Sequence, residues 1–427
     1  MAHHPAHNVY WYTAKAPAEG KPLTGAVKAD VAVVGGGMAG LMCARTLREA
    51  GLSVVLLEKE FCGAGASGKT SGFITPDSEI ELSALISNHG PERAKEIWEF
   101  VLSGVSRIRE AIERHGITCD FAVQDSLFIA NTPARVRFPR EEHEARQRLG
   151  YTSRLYEQSK LPRVIGSPRY AGAVRYPDTF GINSYLFCQT LRGIVADMGV
   201  DMYEETPAVR IRADGVDTPQ GSVAADRIVV CLDRFIPDLG VLRKEIYHVQ
   251  TFLGISAPLS DAAVREIFPE ERMMVWDTDL VYNYFRVTGE GRLLLGGGDV
   301  LYTYAQKPAR GTERLRRRLL AYFKKKFPSI DLSLEYVWPG MLGVSKDLLP
   351  VMGAHPQMPG VWYVGAATGL PWAAALGTYA AERILVGRNE FDETFSWKRK
   401  FTIGARAQAL LSTPITYALS HGMAKYL

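Results

Sequence analysis

The chain lacks several features that would mark a secreted, membrane-spanning or metal-binding protein. It has 427 residues but only five cysteines, Cys43, Cys62, Cys119, Cys188 and Cys231, and none falls in a C-x-x-C motif. Their odd number and scatter predict neither a disulfide framework nor a zinc site. No apolar run reaches the roughly 18 to 20 residues of a membrane span, and the first residues lack the pattern of a signal peptide. We therefore expect a cytoplasmic protein without bound metal.

The chain also has little net charge. Lysine and arginine number 50 against 46 acidic residues, a formal charge of +4. No array of basic and aromatic residues of the kind used by single-strand binders is evident, so no nucleic-acid partner is predicted. A hydrophobic content of 47% with 22% charged residues is typical of soluble globular proteins, and the length predicts two or three domains. We interpret His3, His4 and His7 as part of a disordered start.

Residues 31–58 carry the most informative pattern. An apolar strand at 31–34 leads into G-x-G-x-x-G, a helical pattern follows from 38 to 50, and a second apolar strand spans 54–57. Gly35 is expected to make the tight turn, Gly37 to let the backbone approach a pyrophosphate, and Gly40 to let the helix pack on the strand. Glu58 stands where an acid hydrogen-bonds a ribose diol, which disfavours NADP. The unit predicts a dinucleotide site, and both NAD and FAD fit it.

A second glycine-rich stretch, GAGASGKTSG at 63–72, matches the P-loop pattern of nucleotide hydrolases. A P-loop leaves a buried strand directly and opens a helix. Here residues 58–62 intervene after the strand, and Gly72 and Pro76 disfavour a helix that starts at Thr70. An NTPase is therefore kept only as the less favoured alternative.

The residues around both motifs resemble the D-amino-acid-oxidase-like superfamily of FAD enzymes, with the nearest likeness to the gamma-glutamylputrescine oxidoreductase and glycine oxidase branch. The likeness rests on the Tyr10-Trp11 pair, the βαβ unit, the loop at 66–72 and the segment at 338–387, and it covers roughly residues 10 to 390. It implies an α/β fold, in which a Rossmann-type FAD-binding domain joins an α+β substrate domain built on an antiparallel sheet.

The resemblance also implies which residues hold FAD. They are Gly35, Gly37, Met38, Ala39, Gly40, Glu58, Lys59, Ala66, Ser67, Gly68, Lys69, Thr70, Ser71, Gly72, Val209, Cys231, Leu232, Gly340, Gly365, Gly369, Leu370 and Pro371. Val209 marks a strand beside the adenine, and a helix at 372–385 points its N-terminus at the isoalloxazine. The positions that carry a flavin-linking Cys or His in some members carry neither here, so noncovalent FAD is expected.

We expect the FAD-binding domain to be discontinuous, as in the resembling family. Its predicted segments are 1–85, 160–240 and 335–395, and the substrate domain takes 86–159 and 241–334. An amphipathic pattern predicts a helix within 90–116. The basic stretch at 314–327 is interpreted as a helix with a solvated charged face rather than as a nucleic-acid site.

The substrate end is predicted from the resemblance and from side-chain chemistry. Most members oxidise an amine or amino acid by hydride transfer to flavin N5, after which the imine hydrolyses. Arg286 is the candidate for binding a carboxylate, since its guanidinium offers a bidentate fork; an ion pair between domains is the alternative. Tyr284 and Tyr282 share its strand face by the period of two, and His248 is expected near the pocket, with plain packing as the alternative for all three.

The electron acceptor is left open among oxygen, a quinone and a carrier protein. Sarcosine-oxidase-like members place an oxygen-activating lysine over the flavin, and no equivalent is evident at 250–259 or 273–279, which favours a dehydrogenase. A 2-hydroxy-acid dehydrogenase of the same fold would need a base such as His248. A flavin-fold protein without turnover is a further alternative.

Residues 396–427 form a basic tail with interspersed apolar residues. It carries Lys398, Arg399, Lys400, Arg406 and Lys425 and no acid. One interpretation is a tail docked on its own domain or on a partner subunit. The other is an interfacial anchor that makes a peripheral contact with the inner face of the membrane.

Overall fold

A computed structural model describes residues 9–297, 303 and 312–426. His3, His4 and His7 lie outside the described residues. In the described part, the strands form two large sheets and a small one. Short 3-10 helices span Tyr10–Thr13, Ala66–Gly68, Pro133–Arg135, Gln158–Arg163 and Asp233–Leu239.

The strands and α-helices have the following bounds. The strands are β1 (Gly25–Val34), β2 (Val54–Leu57), β3 (Phe73–Ile74), β4 (Ala122–Val123), β5 (Ser126–Ala130), β6 (Arg154–Glu157), β7 (Gly172–Tyr176), β8 (Phe180–Gly181), β9 (Asp201–Tyr203), β10 (Arg210–Arg212), β11 (Gly215–Asp217), β12 (Gly221–Val230), β13 (Tyr247–Pro258), β14 (Met274–Asp277), β15 (Asn283–Val287), β16 (Arg292–Gly297), β17 (Leu334–Val344), β18 (Val351–His355) and β19 (Met358–Gly365). The helices are α1 (Met38–Glu49), α2 (Leu82–His89), α3 (Pro91–His115), α4 (Arg137–Leu149), α5 (Ser184–Asp197), α6 (Asp261–Ile267), α7 (Glu313–Lys326), α8 (Leu370–Val386), α9 (Asp392–Phe395), α10 (Ala405–Leu411) and α11 (Thr413–Tyr426).

The first sheet is built around the predicted βαβ unit. Its order is β10-β11-β12-β1-β2-β9, and β19 also pairs with β12. Strand β1 runs parallel to both β2 and β12, and β2 runs parallel to β9. The four residues of β2 are all buried, as expected for a parallel strand covered on both faces. Helices α1 and α8 cover this sheet in close contact, since a Cβ at Gly377 would lie 2.1 Å from the Ala39 carbonyl oxygen.

The second sheet is mostly antiparallel and has the order β17-β13-β16-β15-β14-β5-β7-β6. Strands β15 and β16 form a hairpin and pair in antiparallel register. Helix α7 packs its apolar side on this sheet through Leu319 and Phe323. The α/β class, with a Rossmann-type unit and a second unit on an antiparallel sheet, is therefore confirmed.

Two strands depart from the predicted domain segments. Strand β7 pairs with β5, and β17 pairs with β13, so both belong to the second sheet. The predicted segments place them with the FAD-binding domain. Strand β17 comes directly after the segment predicted for the substrate domain, and the chain then returns to β18 and β19 of the first sheet. The sequence of β17 does not indicate which of the two sheets it joins.

The C-terminal tail folds back onto the protein. The ring of Tyr417 stacks on Tyr247 with centroids 3.8 Å apart, and Asn88 donates to the Ala424 carbonyl. The Tyr426 hydroxyl donates to the Thr278 carbonyl at 2.8 Å. Docking on the chain itself is thus the observed arrangement. Among the described residues, no helix has both the length and the apolar character that crossing a bilayer requires.

Candidate active site

A cavity of about 570 Å³ lies between the two large sheets. One end is formed where β1 and β2 finish, and the other is formed by β13, β14, β15 and β17 of the second sheet. The volume is within the range of ligand-binding pockets.

The glycine turn after β1 shapes the first end. Gly35 has φ +108°, and a Cβ there would lie 2.4 Å from the Cys231 carbonyl oxygen, so the position requires glycine. Gly40 packs α1 against this turn, because its Cβ would lie 1.8 Å from the Gly35 oxygen. Gly37 and Met38 open onto the cavity at the N-terminus of α1. The backbone N–H groups of that terminus favour an anion such as a pyrophosphate.

Glu58 closes the same end at the finish of β2. Its two carboxylate oxygens accept hydrogen bonds from the backbone N–H groups of Gly36, at 2.7 Å, and Glu60, at 3.0 Å. Burial raises the pKa of this carboxyl, and the two N–H donors oppose that rise. The bonds hold the carboxylate at the cavity wall, where a ribose hydroxyl could donate to it.

The loop at 66–72 forms the opposite wall of this end. The Met38 N–H donates to Ser67 Oγ at 2.9 Å, which ties the loop to the start of α1. Two tryptophans hold the loop from behind, since Trp11 Nε1 donates to the Thr70 carbonyl and Trp338 Nε1 to the Lys69 carbonyl. Burial lowers the pKa of Lys69.

The start of α8 faces the same cavity. Gly369 has φ +105° and caps the helix, and Leu370 lines the cavity beside it. The N-terminus of this 17-residue helix adds a second set of backbone donors. Gly340 and Gly365 line the neighbouring wall.

The second end is lined by aromatic rings and carboxyl groups. Phe73, Trp276, Tyr282 and Tyr284 surround it, with Phe73 5.7 Å from Tyr284 and 6.4 Å from Trp276, measured between ring centroids. Tyr282 and Tyr284 therefore both reach the cavity, as the alternation along β15 predicts. Thr251 and Leu253 of β13 complete this wall.

Two carboxyl groups lie among these rings. Asp77 accepts hydrogen bonds from Thr75, Tyr176 and Arg146, and Glu79 lies 2.9 Å from the Tyr282 hydroxyl. Burial raises the pKa of Asp77 and of Glu79 to about 7 each. Nothing in the motifs pointed to them, although the sequence shows acids at every second position from 77 to 81.

Family comparison identifies the cofactor of this protein. The sequence pattern of the DAO family, described as FAD dependent oxidoreductase, matches residues 30–383. The chain belongs to this family. Its cofactor is FAD, and the protein is an FAD-dependent oxidoreductase. The P-loop alternative is wrong: residues 66–68 form one 3-10 turn, and the loop lies against the dinucleotide turn instead of opening an α-helix.

Individual relatives extend the comparison. Gamma-glutamylputrescine oxidoreductase of Escherichia coli is 28% identical over 344 residues, which cover 78% of each chain. The putative Rieske 2Fe-2S iron-sulfur protein YhfW of Bacillus subtilis is 25% identical over 419 residues, 95% of this chain and 78% of that one. Glycine oxidase from Geobacillus kaustophilus has the same fold, with a TM-score of 0.74 at 21% identity over 87% of this chain and 99% of that one.

The residues present fit FAD. Most of the predicted cofactor residues line the cavity: Gly35, Gly37, Met38, Ala39, Glu58, Lys59, Ala66, Ser67, Lys69, Thr70, Ser71, Cys231, Leu232, Gly340, Gly365, Gly369 and Leu370. The lining also includes residues that sequence reasoning missed, among them Thr206, Asp233 and Arg234.

Four predicted cofactor residues pack behind the lining instead. Gly40 meets Gly35, Gly68 would place a Cβ 2.1 Å from the Gly63 oxygen, and Gly72 would place one 1.9 Å from the Ile182 oxygen. Pro371 supports α8, and its carbonyl oxygen lies against Gly104 of α3. These positions shape the cavity without facing it.

Val209 does not lie where the resemblance implies, beside the cofactor. Its side chain is 59% exposed and it does not line the cavity, because the chain leaves the wall after Thr206, Pro207 and Ala208. The strand predicted around it begins at Arg210. The sequence around Val209 does not indicate which of the neighbouring residues face the cavity.

Arg286 also requires correction, because it does not line the cavity. It is completely buried, and its guanidinium donates to the carbonyls of Ser71, at 3.0 Å, and Ile182, at 2.7 Å. Asp120 lies 4.0 Å away, and burial lowers the pKa of Arg286 to about 10. Arg286 therefore supports the loop at 66–72 from the second sheet through hydrogen bonds to backbone carbonyls, and not through the ion pair between domains that was the alternative.

His248 points away from the cavity as well. Its Nε2 lies 3.0 Å from the Arg234 carbonyl oxygen, behind the lining residues of β13. None of the histidines in the described part of the chain lines this cavity. The base required by the hydroxy-acid alternative is therefore not supplied by His248.

Proposed function

We propose that this FAD-dependent oxidoreductase oxidises a C–N bond of an amine or amino acid. The observation that carries the proposal is the composition of the second end of the cavity, where aromatic rings and two carboxyl groups meet and none of the described lining residues is a histidine. FAD, when bound, accepts a hydride from the carbon next to the substrate nitrogen. The relative named gamma-glutamylputrescine oxidoreductase supports an amine substrate.

The side chains at this end fit the needs of amine oxidation. An amine must lose its proton before a hydride leaves the neighbouring carbon, and the resulting imine hydrolyses in water. A carboxyl group whose pKa is about 7, such as Glu79, can hold an ammonium group and take its proton. Phe73 and Trp276 exclude water around the reacting carbon.

The proposal is tested by anaerobic reduction of the bound flavin. The enzyme is mixed in turn with amines, amino acids and 2-hydroxy acids, and the loss of flavin absorbance is followed. We expect amines or amino acids to bleach the flavin. Bleaching by 2-hydroxy acids alone would favour the alternative dehydrogenase and overturn the proposal.

FAD is proposed to be held noncovalently. Cys231 is the lining cysteine among the described residues, and burial raises the pKa of its thiol to about 12. A protonated thiol is a poor nucleophile. Acid precipitation is expected to release the flavin into the supernatant, and retention in the pellet would contradict this part.

A carrier protein or a quinone is proposed as the electron acceptor rather than oxygen. The relative YhfW, named a putative Rieske iron-sulfur protein, supports electron transfer between protein centres. We also propose a cytoplasmic location, with peripheral membrane contact through exposed apolar residues of the tail. Faster reoxidation of the reduced enzyme by air than by a quinone analogue or an artificial dye would contradict the acceptor proposal.

A further inference from the structure

Phe73, Trp276, Tyr282 and Tyr284 form an aromatic cage at the second end of the cavity. Tyr282 lies 5.6 Å from Tyr284, and Phe73 bridges Tyr284 and Trp276, measured between ring centroids. Such cages bind organic cations through the negative faces of their rings. Tyr282 already binds one cation in this way, since Lys425 Nζ lies 4.6 Å from its ring centroid.

The carboxyl groups around the cage outnumber the cations near them. Arg146 contacts both Asp77, at 3.2 Å, and Glu142, at 2.7 Å. Lys425 contacts Glu81 at 3.4 Å. In the part of the chain that the structure describes, Glu79 accepts a hydrogen bond from Tyr282 and forms no ion pair. A buried carboxylate is stabilised when a cation reaches it.

The cations that line the cavity lie at its other end. Lys59 Nζ and the guanidinium of Arg234 both lie over the ring of Phe235, at 3.6 and 3.9 Å from the centroid. Lys69 belongs to the loop at 66–72, and Arg286 donates hydrogen bonds to two backbone carbonyls outside the cavity lining. A substrate carboxylate beside the cage would therefore meet carboxylates and no cation among the described lining residues.

From these contacts we infer that the substrate is an organic ammonium ion without a carboxylate near its reacting carbon, bound by the aromatic cage and by Glu79. This inference rests on the proposed amine oxidation and narrows it to amines as opposed to α-amino acids. Glu79 supplies the charge, Trp276 and Phe73 supply ring faces, and Tyr282 holds the Glu79 carboxylate in place.

The binding test uses a cation that cannot be oxidised. Tetramethylammonium is titrated into the FAD-loaded enzyme, and its dissociation constant is measured by calorimetry at pH 8. We expect Glu79→Gln to weaken binding by about tenfold or more, because tetramethylammonium loses its Coulomb attraction to the carboxylate. Trp276→Leu should weaken it by about threefold or more through loss of a ring face. Glu144→Gln, which removes an exposed carboxylate on α4, is the matched control and should leave binding unchanged.

A substrate series separates this inference from the proposed function. Butylamine, butane-1,4-diamine, 4-aminobutanoate and 2-aminobutanoate are compared as flavin reductants, and the first two should have the higher kcat/KM. Glu79→Gln should raise KM for the amines and also lower kcat, because Glu79 both holds the ammonium group and takes its proton. Reduction by 2-aminobutanoate in preference to both amines would overturn the inference and leave C–N oxidation standing. Equal tetramethylammonium binding by Glu79→Gln and the native enzyme would also overturn it, whether or not any amine is oxidised.

Discussion

The Lys425 ammonium lies 3.4 Å from Oε1 of Glu81, and both side chains are buried. The contact joins the last turn of α11 to the segment that carries Glu79, so the tail forms part of the support of the substrate end. The carboxylates of Glu81 and Glu79 raise the pKa of Lys425 against the effect of burial. The ammonium is therefore charged throughout the neutral range.

Replacement of Lys425 by methionine is expected to destabilise the protein. Breaking a buried pair by removing one partner costs about 3 to 5 kcal/mol, because the other charge remains buried. Thermal unfolding should show a lower midpoint at pH 8 and a smaller loss at pH 5, where Glu81 can take up a proton. Lys398→Met, at an exposed position, is the control. An unchanged midpoint in Lys425→Met would show that the pair contributes nothing.

Binding of tetramethylammonium should depend on pH through Glu79. Its pKa is raised to about 7 by burial and by Glu81, against the lowering effects of Lys425 and Tyr282. Because only the ionised form attracts a cation, affinity should rise about tenfold between pH 6 and pH 8. Asp77 has a similar pKa but is paired with Arg146, so Glu79→Gln should flatten most of the rise. A rise of equal size in the variant would assign the titration elsewhere.

The dinucleotide turn and the flavin loop were predictable because their signals are local. Gly35, Gly37 and Glu58 lie within one continuous βαβ unit, whose backbone geometry follows from its own residues. The loop at 66–72 follows in the sequence and differs from a P-loop through its neighbours, which the sequence also shows.

The residues at the second end of the cavity were less predictable, because the sequence does not indicate where a cavity ends. The period of two along β15 correctly placed Tyr282 and Tyr284 on one face. A residue two positions further along the strand, however, lies about 7 Å away. At Arg286 that step leaves the cavity and reaches the underside of the flavin loop. Asp77 and Glu79 lie in an irregular segment, and Lys425 arrives from the far end of the chain, so no local pattern connects them.

Arg286→Lys is accordingly expected to affect flavin retention and stability more than substrate binding. Lysine keeps the charge but cannot reach both carbonyls, and each lost bond from a charged donor costs about 1.5 to 3 kcal/mol. The FAD content and the thermal midpoint should fall, while KM of the remaining loaded enzyme stays within about twofold, since no substrate contact is removed. Arg265→Lys on the exposed side of α6 is the control. A large rise in KM with normal FAD content would show that Arg286 contacts the substrate.

Gly37→Val should abolish FAD retention, whereas Lys69→Ala should only weaken it. A Cβ at Gly37 would lie 3.1 Å from Ser67 Oγ, and the two methyl groups of valine would extend toward that hydroxyl or into the cavity. Either direction interferes with a pyrophosphate at the start of α1. Gly193→Ala, where a Cβ meets nothing within 4 Å, is the control. Full FAD content in Gly37→Val, measured from flavin absorbance per protein, would contradict this assignment.

The outer side of the tail supports the proposed membrane contact. Leu410 is 88% exposed, Ile415 54% and Leu419 49%, whereas Tyr417 faces inward and holds the tail in place. Apolar side chains beside basic residues favour the interface of an anionic bilayer. The triple change of Leu410, Ile415 and Leu419 to serine should abolish cosedimentation with anionic vesicles at low salt. FAD content and dye reduction should remain intact, because these side chains point away from the cavity. Val386→Ser, at a 78% exposed position outside the tail, is the matched control. If the native protein does not bind such vesicles, or if the triple variant still binds them, the proposed membrane contact of the tail is wrong.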